Sequence, residues 1–199
     1  MNTATASKID LWVWMQKMKT LYKWTVEDYH QIIESGVLEG KSVELLRGDI
    51  VTMSPEKPIH SSRIDTVADY LRDVLRGIAK VREAHPVTLD NSEPEPDIAI
   101  VRLQADNYST HHPYPQDIYL LIEVSNNTLN RDLGDKSIIY AQNSIAEYWV
   151  IDLPHSKLWI FTQPEQNGYA NQQEIVTGNI SPVLFPDISI EVNKLLLNR

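Results

Sequence analysis

The chain has 199 residues, of which 42% are hydrophobic and 23% charged, and a formal net charge of -9. That size and apolar content suit one domain with a sizeable core, and the acidic balance argues against a protein that coats nucleic acid through a general basic surface. The absence of cysteine excludes a disulfide scaffold, a thiolate zinc site, an iron–sulfur cluster and a cysteine nucleophile.

Residues 1–20 read as a weakly patterned leader, either a loose extension or a short docking helix, and residues 21–199 as one domain. Within the leader, Leu11-Trp12-Val13-Trp14-Met15 is too short for a signal-peptide core and no small-residue cleavage site follows it. No run approaches the roughly 18 apolar residues of a membrane span. A cytoplasmic protein with no membrane partner is expected.

Thr25 reads as an N-cap, with Val26, Tyr29, Ile32 and Ile33 at helical spacing and Gly36 as a stop. Residues 44–51 predict a hairpin that turns near Gly48-Asp49, closed by Met53-Ser54-Pro55. Residues 59–79 predict a long amphipathic helix with Ile64, Val67, Ala68, Leu71, Val74, Leu75 and Ile78 on one face. Residues 81–89 alternate loosely, as a strand would, and a Pro/Glu loop follows over 90–96. Strands are expected at 97–101 and 118–124, with a polar loop between them that carries His111-His112. A helix over 132–143, capped by Asp132, leads to a hairpin of strands 146–152 and 157–162. Residues 163–173 read as a polar loop, and 181–199 as a short strand with a closing helix. This order predicts an α/β fold, a mixed sheet flanked by helices.

The chemistry lies in the two central strands. Pro96-Asp97-Ile98-Ala99-Ile100-Val101 and Leu120-Leu121-Ile122-Glu123-Val124-Ser125 are buried-strand patterns that each carry one carboxylate. A lone acid in such a strand is costly unless paired, hydrogen-bonded or metal-bound. If the strands are adjacent and antiparallel, Asp97 and Glu123 meet. Such a pair suits magnesium, with manganese as a substitute, because a hard cation takes carboxylate oxygens and keeps waters. Such an ion serves phosphodiester hydrolysis. Lys136, in the helix after the Glu123 strand, is the candidate cation to position the water. The plainer readings are a turn-capping Asp97, a buried ion pair at Glu123 and a solvated lysine.

These residues resemble the PD-(D/E)XK nuclease superfamily, and within it the Uma-two family of restriction-endonuclease-like proteins. The landmarks run in order from Trp24-Thr25, Tyr29 and Gly36, through Glu44-Leu45, Gly48 and Ile50, to Met53-Ser54-Pro55 and His60. Asp97, Glu123-Val124-Ser125, Asp132, Lys136, Tyr140 and Glu147-Tyr148-Trp149 follow, down to Asp152. The resemblance implies a restriction-endonuclease-like core and a metal-dependent endonuclease acting on DNA. It implies that Asp97 and Glu123 hold the metal, with the Val124 carbonyl as a further ligand. The superfamily lysine two positions after the glutamate is Ser125 here, and the resemblance displaces it onto the next helix as Lys136. Glu44 matches a family acid, read either as an outer contact to metal or water or as an ordinary strand acid. His60 is read as touching phosphate, as orienting Glu44, or as a plain helix-start residue.

Two rival readings stand beside this one. The first is a non-catalytic binding or regulatory module on a nuclease fold, favoured by Ser125 and the acidic charge, which requires Lys136 to face solvent. The second is a carboxylate-pair hydrolase acting on sugars, which requires exposed Trp149 and Trp159. A homodimer would bring two centres to two DNA strands.

Overall fold

A computed structural model describes residues 21–197, apart from Ser54 and Glu56. The expected leader and the middle residue of Met53-Ser54-Pro55 therefore lie outside the described residues. Helix α1 (Val26–Glu34) starts where the sequence predicts: Thr25 accepts from the Asp28 backbone N–H, and the Asp28 carboxylate accepts from that of Thr25. Strands β1 (Val43–Leu46) and β2 (Asp49–Thr52) form the expected hairpin. Its turn is Arg47-Gly48, with φ of 49° and 75°, the pair of positive values a two-residue hairpin turn needs. A Cβ on Gly48 would come within 2.9 Å of Lys23 Cβ and 3.0 Å of the Trp24 carbonyl oxygen.

Helix α2 (Pro58–Val74) is shorter than the apolar pattern suggests. Leu75 ends it and Gly77, at φ 76°, turns the chain away. Strand β3 is only Lys80–Glu83. The strand predicted to reach residue 89 stops there because Ala84 adopts φ 44° and Pro86 follows. Val87 and Leu89 are nonetheless buried, as loop residues.

Strands β4 (Ile98–Val101) and β5 (Ile118–Ser125) are antiparallel neighbours, as the argument for the carboxylates required. After β5 the chain makes one helical turn, α3 (Leu129–Arg131), then a π-helical turn over Asp132–Lys136, then α4 (Ser137–Gln142). The helix thus begins three residues before the predicted start. Asp132 is not its cap; it is buried inside it. This connection crosses to β6 (Glu147–Asp152), which pairs parallel with β5.

Strand β7 (Lys157–Glu165) returns antiparallel to β6 and pairs with β8 (Gly168–Ile175). Residues 163–173 are therefore two strands, not a loop. An edge strand needs little apolar content when its backbone is paired on one side, and most of β8 is exposed or half-buried. The six strands run β3-β4-β5-β6-β7-β8. Near the C-terminus, β9 (Asn179–Ile180) pairs with β10 (Ile190–Glu191), and α5 (Val192–Leu196) closes the described chain. No described helix is long and apolar enough to cross a membrane.

The sheet is covered on both faces, so its central strands read as continuous apolar runs. Ile98, Ile100, Leu120, Ile122, Val124, Trp149 and Ile151 face α2 and α5. Ala99, Val101, Leu121, Tyr148 and Val150 face Ile139 and Tyr140 of α4. The period of two settles where the acids go. Asp97 and Glu123 continue the second set, and the Ile98–Ile122 register sets them opposite each other at one end of the β4–β5 pair.

Candidate active site

Asp97, Glu123 and Lys136 line one small cavity of about 110 Å³, together with His60, Glu95, Arg131 and Asp132. Asp97 Oδ2 accepts from the Val124 backbone N–H at 2.6 Å. His60, in the first turn of α2, brings Nε2 to 3.2 Å from the same oxygen. His60 thus touches Asp97 and not Glu44, so the expectation that it orients Glu44 is replaced. In a strand the N–H and C=O of one residue leave on the same edge. The Val124 carbonyl therefore points toward Asp97 as its N–H does.

Glu123 is buried at 3% exposure, which makes its partners decisive. Its Oε1 accepts from Lys136 Nζ at 2.7 Å and from the Tyr140 hydroxyl at 2.9 Å. Burial pushes the Glu123 carboxyl upward. Lys136 opposes that push, and the charges of Asp97 and Asp132 add to it, so the group titrates well above the usual carboxylate range. Burial alone would pull the Lys136 ammonium down. Glu123, then Glu44 and Asp132, overcome that pull and hold it above the ordinary lysine value. Lys136 therefore keeps its charge, and Glu123 is the group whose protonation depends on what else enters the cavity.

Lys136 faces the acids and is buried at 3% exposure, so the geometry that the non-catalytic reading required does not occur. Trp149 is fully buried and Trp159 is half-buried. Neither lines this cavity, and its described lining residues form no aromatic shelf of a sugar cleft. Ser125 stands where the superfamily has lysine. Its hydroxyl lies 3.3 Å from that of Thr128, which donates to Asp132 Oδ2 at 2.5 Å.

Glu44 sits behind the cavity wall rather than in it. Its Oε2 accepts from the Glu95 backbone N–H at 3.3 Å and lies 3.8 Å from Lys136 Nζ. Its Oε1 is buried without a hydrogen bond, 3.7 Å from Arg131 Nη1. Arg131, Asp132, Glu95 and Tyr140 are site residues that the sequence reading missed. Tyr140 is buried in the core, and its hydroxyl also reaches Glu123. Asp132 resembles a cap in sequence, and only the π-helical turn makes it a wall residue. Nothing in the sequence marks Arg131 or Glu95. His111 and His112 lie in a separate cavity beside Tyr114 and Glu93.

The donors fit a hard cation. Asp97 uses Oδ2 and Glu123 uses Oε1 for protein contacts, and the remaining oxygen of each accepts no hydrogen bond among the described residues. No three His, Asp or Glu side chains of the described residues gather as a closed metal cage. Two carboxylates with the rest of the shell left to water is the habit of magnesium rather than of a structural zinc site. Carboxylates also outnumber fixed cations in this wall, and a divalent ion would offset that surplus.

The Uma2 family model, described as "Putative restriction endonuclease", matches residues 26–193. A crystal structure described as a putative nuclease belonging to DUF820, from Anabaena variabilis ATCC 29413, is similar in fold. Its TM-score is 0.63 at 13% sequence identity, over 78% of this chain and 89% of that one. No curated protein matches the chain. A family match from the first residue of α1 into α5, on a sheet that sets Asp97 opposite Glu123, makes this chain a member of the Uma2 family of restriction-endonuclease-like proteins.

Proposed function

We propose that this protein is a magnesium-dependent endonuclease that hydrolyses DNA phosphodiester bonds. The observation that carries the reading is Lys136, a lysine buried against Glu123 in the cavity that also holds Asp97. A buried cation beside two facing carboxylates has a cost, and a reaction centre accounts for it.

Asp97 and Glu123 would hold the ion, with the Val124 carbonyl on the same edge as a third oxygen. The ion supplies an acidified water and charge neutralisation at the phosphate. Lys136 has three donors and spends one on Glu123. The others can fix an incoming water and face the charge that develops on the phosphate. Tyr140 holds Glu123 Oε1 from the helix side. His60 holds Asp97 and lines the cavity, where it can meet a phosphate oxygen. Glu44 supports Lys136 from behind the wall. One such centre cuts one strand, so two copies would serve a duplex.

The test is cleavage of supercoiled and single-stranded DNA in magnesium, in manganese and in EDTA. Glu123→Gln and Asp97→Asn, purified identically, are the controls. Cleavage that needs the metal and falls about a hundredfold or more in both variants supports the reading. Cleavage that both variants retain overturns it. Magnesium binding with no cleavage of any DNA overturns it in favour of a non-catalytic module, the reading that Ser125 favours.

A further inference from the structure

Arg131 lines the cavity with its hydrogen-bond donors uncommitted among the described residues. Its guanidinium makes no hydrogen bond among the described residues, and Nε is buried with no partner. Two carboxylates stand near it, Glu44 Oε1 at 3.7 Å and Asp132 Oδ1 at 4.0 Å, both beyond hydrogen-bond reach. A planar fork of donors, steadied by two long ion pairs and with no hydrogen bond among the described residues, is prepared for a ligand. The geometry of that fork matches the oxygens of a phosphate.

The backbone explains why Arg131 and Lys136 serve one cavity. They are five residues apart. On a regular α-helix, at 100° per residue, they would diverge by about 140°. The π-helical turn over Asp132–Lys136 bonds i to i+5 and spreads the turn over more residues, so a five-residue separation comes closer to one full turn. Both side chains therefore reach the same wall. Charge argues in the same direction. The molecule carries -9 overall, so an approaching polyanion needs local cations, and Arg131 is a half-buried one at this site.

We infer that Arg131 is a substrate-binding residue that takes the oxygens of a DNA backbone phosphate beside the metal-binding carboxylates. This rests on the nuclease reading for the identity of the substrate. It adds the residue that anchors that substrate and a reason for the π turn.

The test measures binding apart from cleavage. A fluorescein-labelled DNA duplex is titrated by anisotropy at several salt concentrations, with calcium in place of magnesium. Wild type, R131A and R131K are compared. R131A is expected to weaken binding about tenfold at low salt. It should also flatten the dependence of log affinity on log salt by about one. R131K is expected to restore the slope but not the full affinity, because it keeps the charge and loses the fork. That recovery separates lost contact from lost folding. Wild-type slope and affinity in R131A would overturn the assignment, even if the protein cleaves DNA. A lost slope in R131A, from a wild type that binds but never cleaves, would uphold Arg131 and overturn the nuclease reading. No salt-dependent binding by wild type would overturn both.

Discussion

Lys136 and Glu123 form a buried, hydrogen-bonded pair, and mutation of either partner should be felt. Removing one charge from a buried pair leaves the other uncompensated, at a cost of about 3–5 kcal/mol. Lys136→Met is therefore expected to lower stability by about that much. The double variant Lys136→Met with Glu123→Gln is expected to recover much of the loss while staying inactive. Urea unfolding in EDTA measures both. A single variant as stable as wild type would mean that the pair carries no charge to strand. Tyr140→Phe asks a smaller question. The ring stays in the core beside Tyr148, and only the hydroxyl on Glu123 Oε1 goes. About 1 kcal/mol of stability should follow, together with slower cleavage, measured by denaturant midpoint and rate on the same sample. An unchanged midpoint would remove Tyr140 from the support of Glu123.

At the level of elements, the hairpin that carries Glu44 depends on one backbone position. Gly48 sits at φ 75°, its carbonyl accepts from the Trp24 N–H at 2.9 Å, and a Cβ there would strike Lys23 and Trp24. Gly48→Ala meets both a backbone penalty and a steric one, so a loss of about 1–3 kcal/mol is expected. The same urea measurement checks it, and an unchanged midpoint would show that the segment before α1 yields freely. The hairpin shows which elements a sequence can reveal. Its turn chemistry is local, and so is the N-cap at Thr25; both were legible, the turn to within one residue. The strands of Asp97 and Glu123 were legible because burial on both faces leaves only apolar residues around each acid. Strand β8 was not, because an edge strand is specified by its neighbour's backbone and leaves little trace in its own polar side chains. The π-helical turn was equally silent. It arises from the fit of the crossover helix onto the sheet, so Asp132 read as a cap and Arg131 as nothing at all. The candidate site was thus visible in the residues that break a pattern and invisible in those that fit one.

The whole molecule is held at its far end by another buried acid, and there pH should be felt. Glu147, at the start of β6, accepts from the Trp149 indole N–H at 2.7 Å and from the Val183 backbone N–H at 2.7 Å. It thereby ties the C-terminal segment to the sheet. Burial pushes its carboxyl above the usual range, and those two hydrogen bonds only partly pull it back. The folded protein thus holds this proton at pH values where the unfolded chain has released it. Between the ordinary carboxylate value of about 4.3 and the raised folded value, the native state binds more protons, so stability falls as pH rises. The contribution is complete below the ordinary value and gone above the folded one. Glu147→Gln removes the titration and keeps the shape. Glu123 shifts in the same sense, but it is present in both proteins and cancels in the comparison. Urea midpoints measured from pH 4 upward should therefore show wild type losing ground to Glu147→Gln through the weakly acidic range, with parallel curves at higher pH. Curves parallel throughout would mean that Glu147 keeps an ordinary carboxylate affinity for its proton, and that its two hydrogen bonds fully offset its burial.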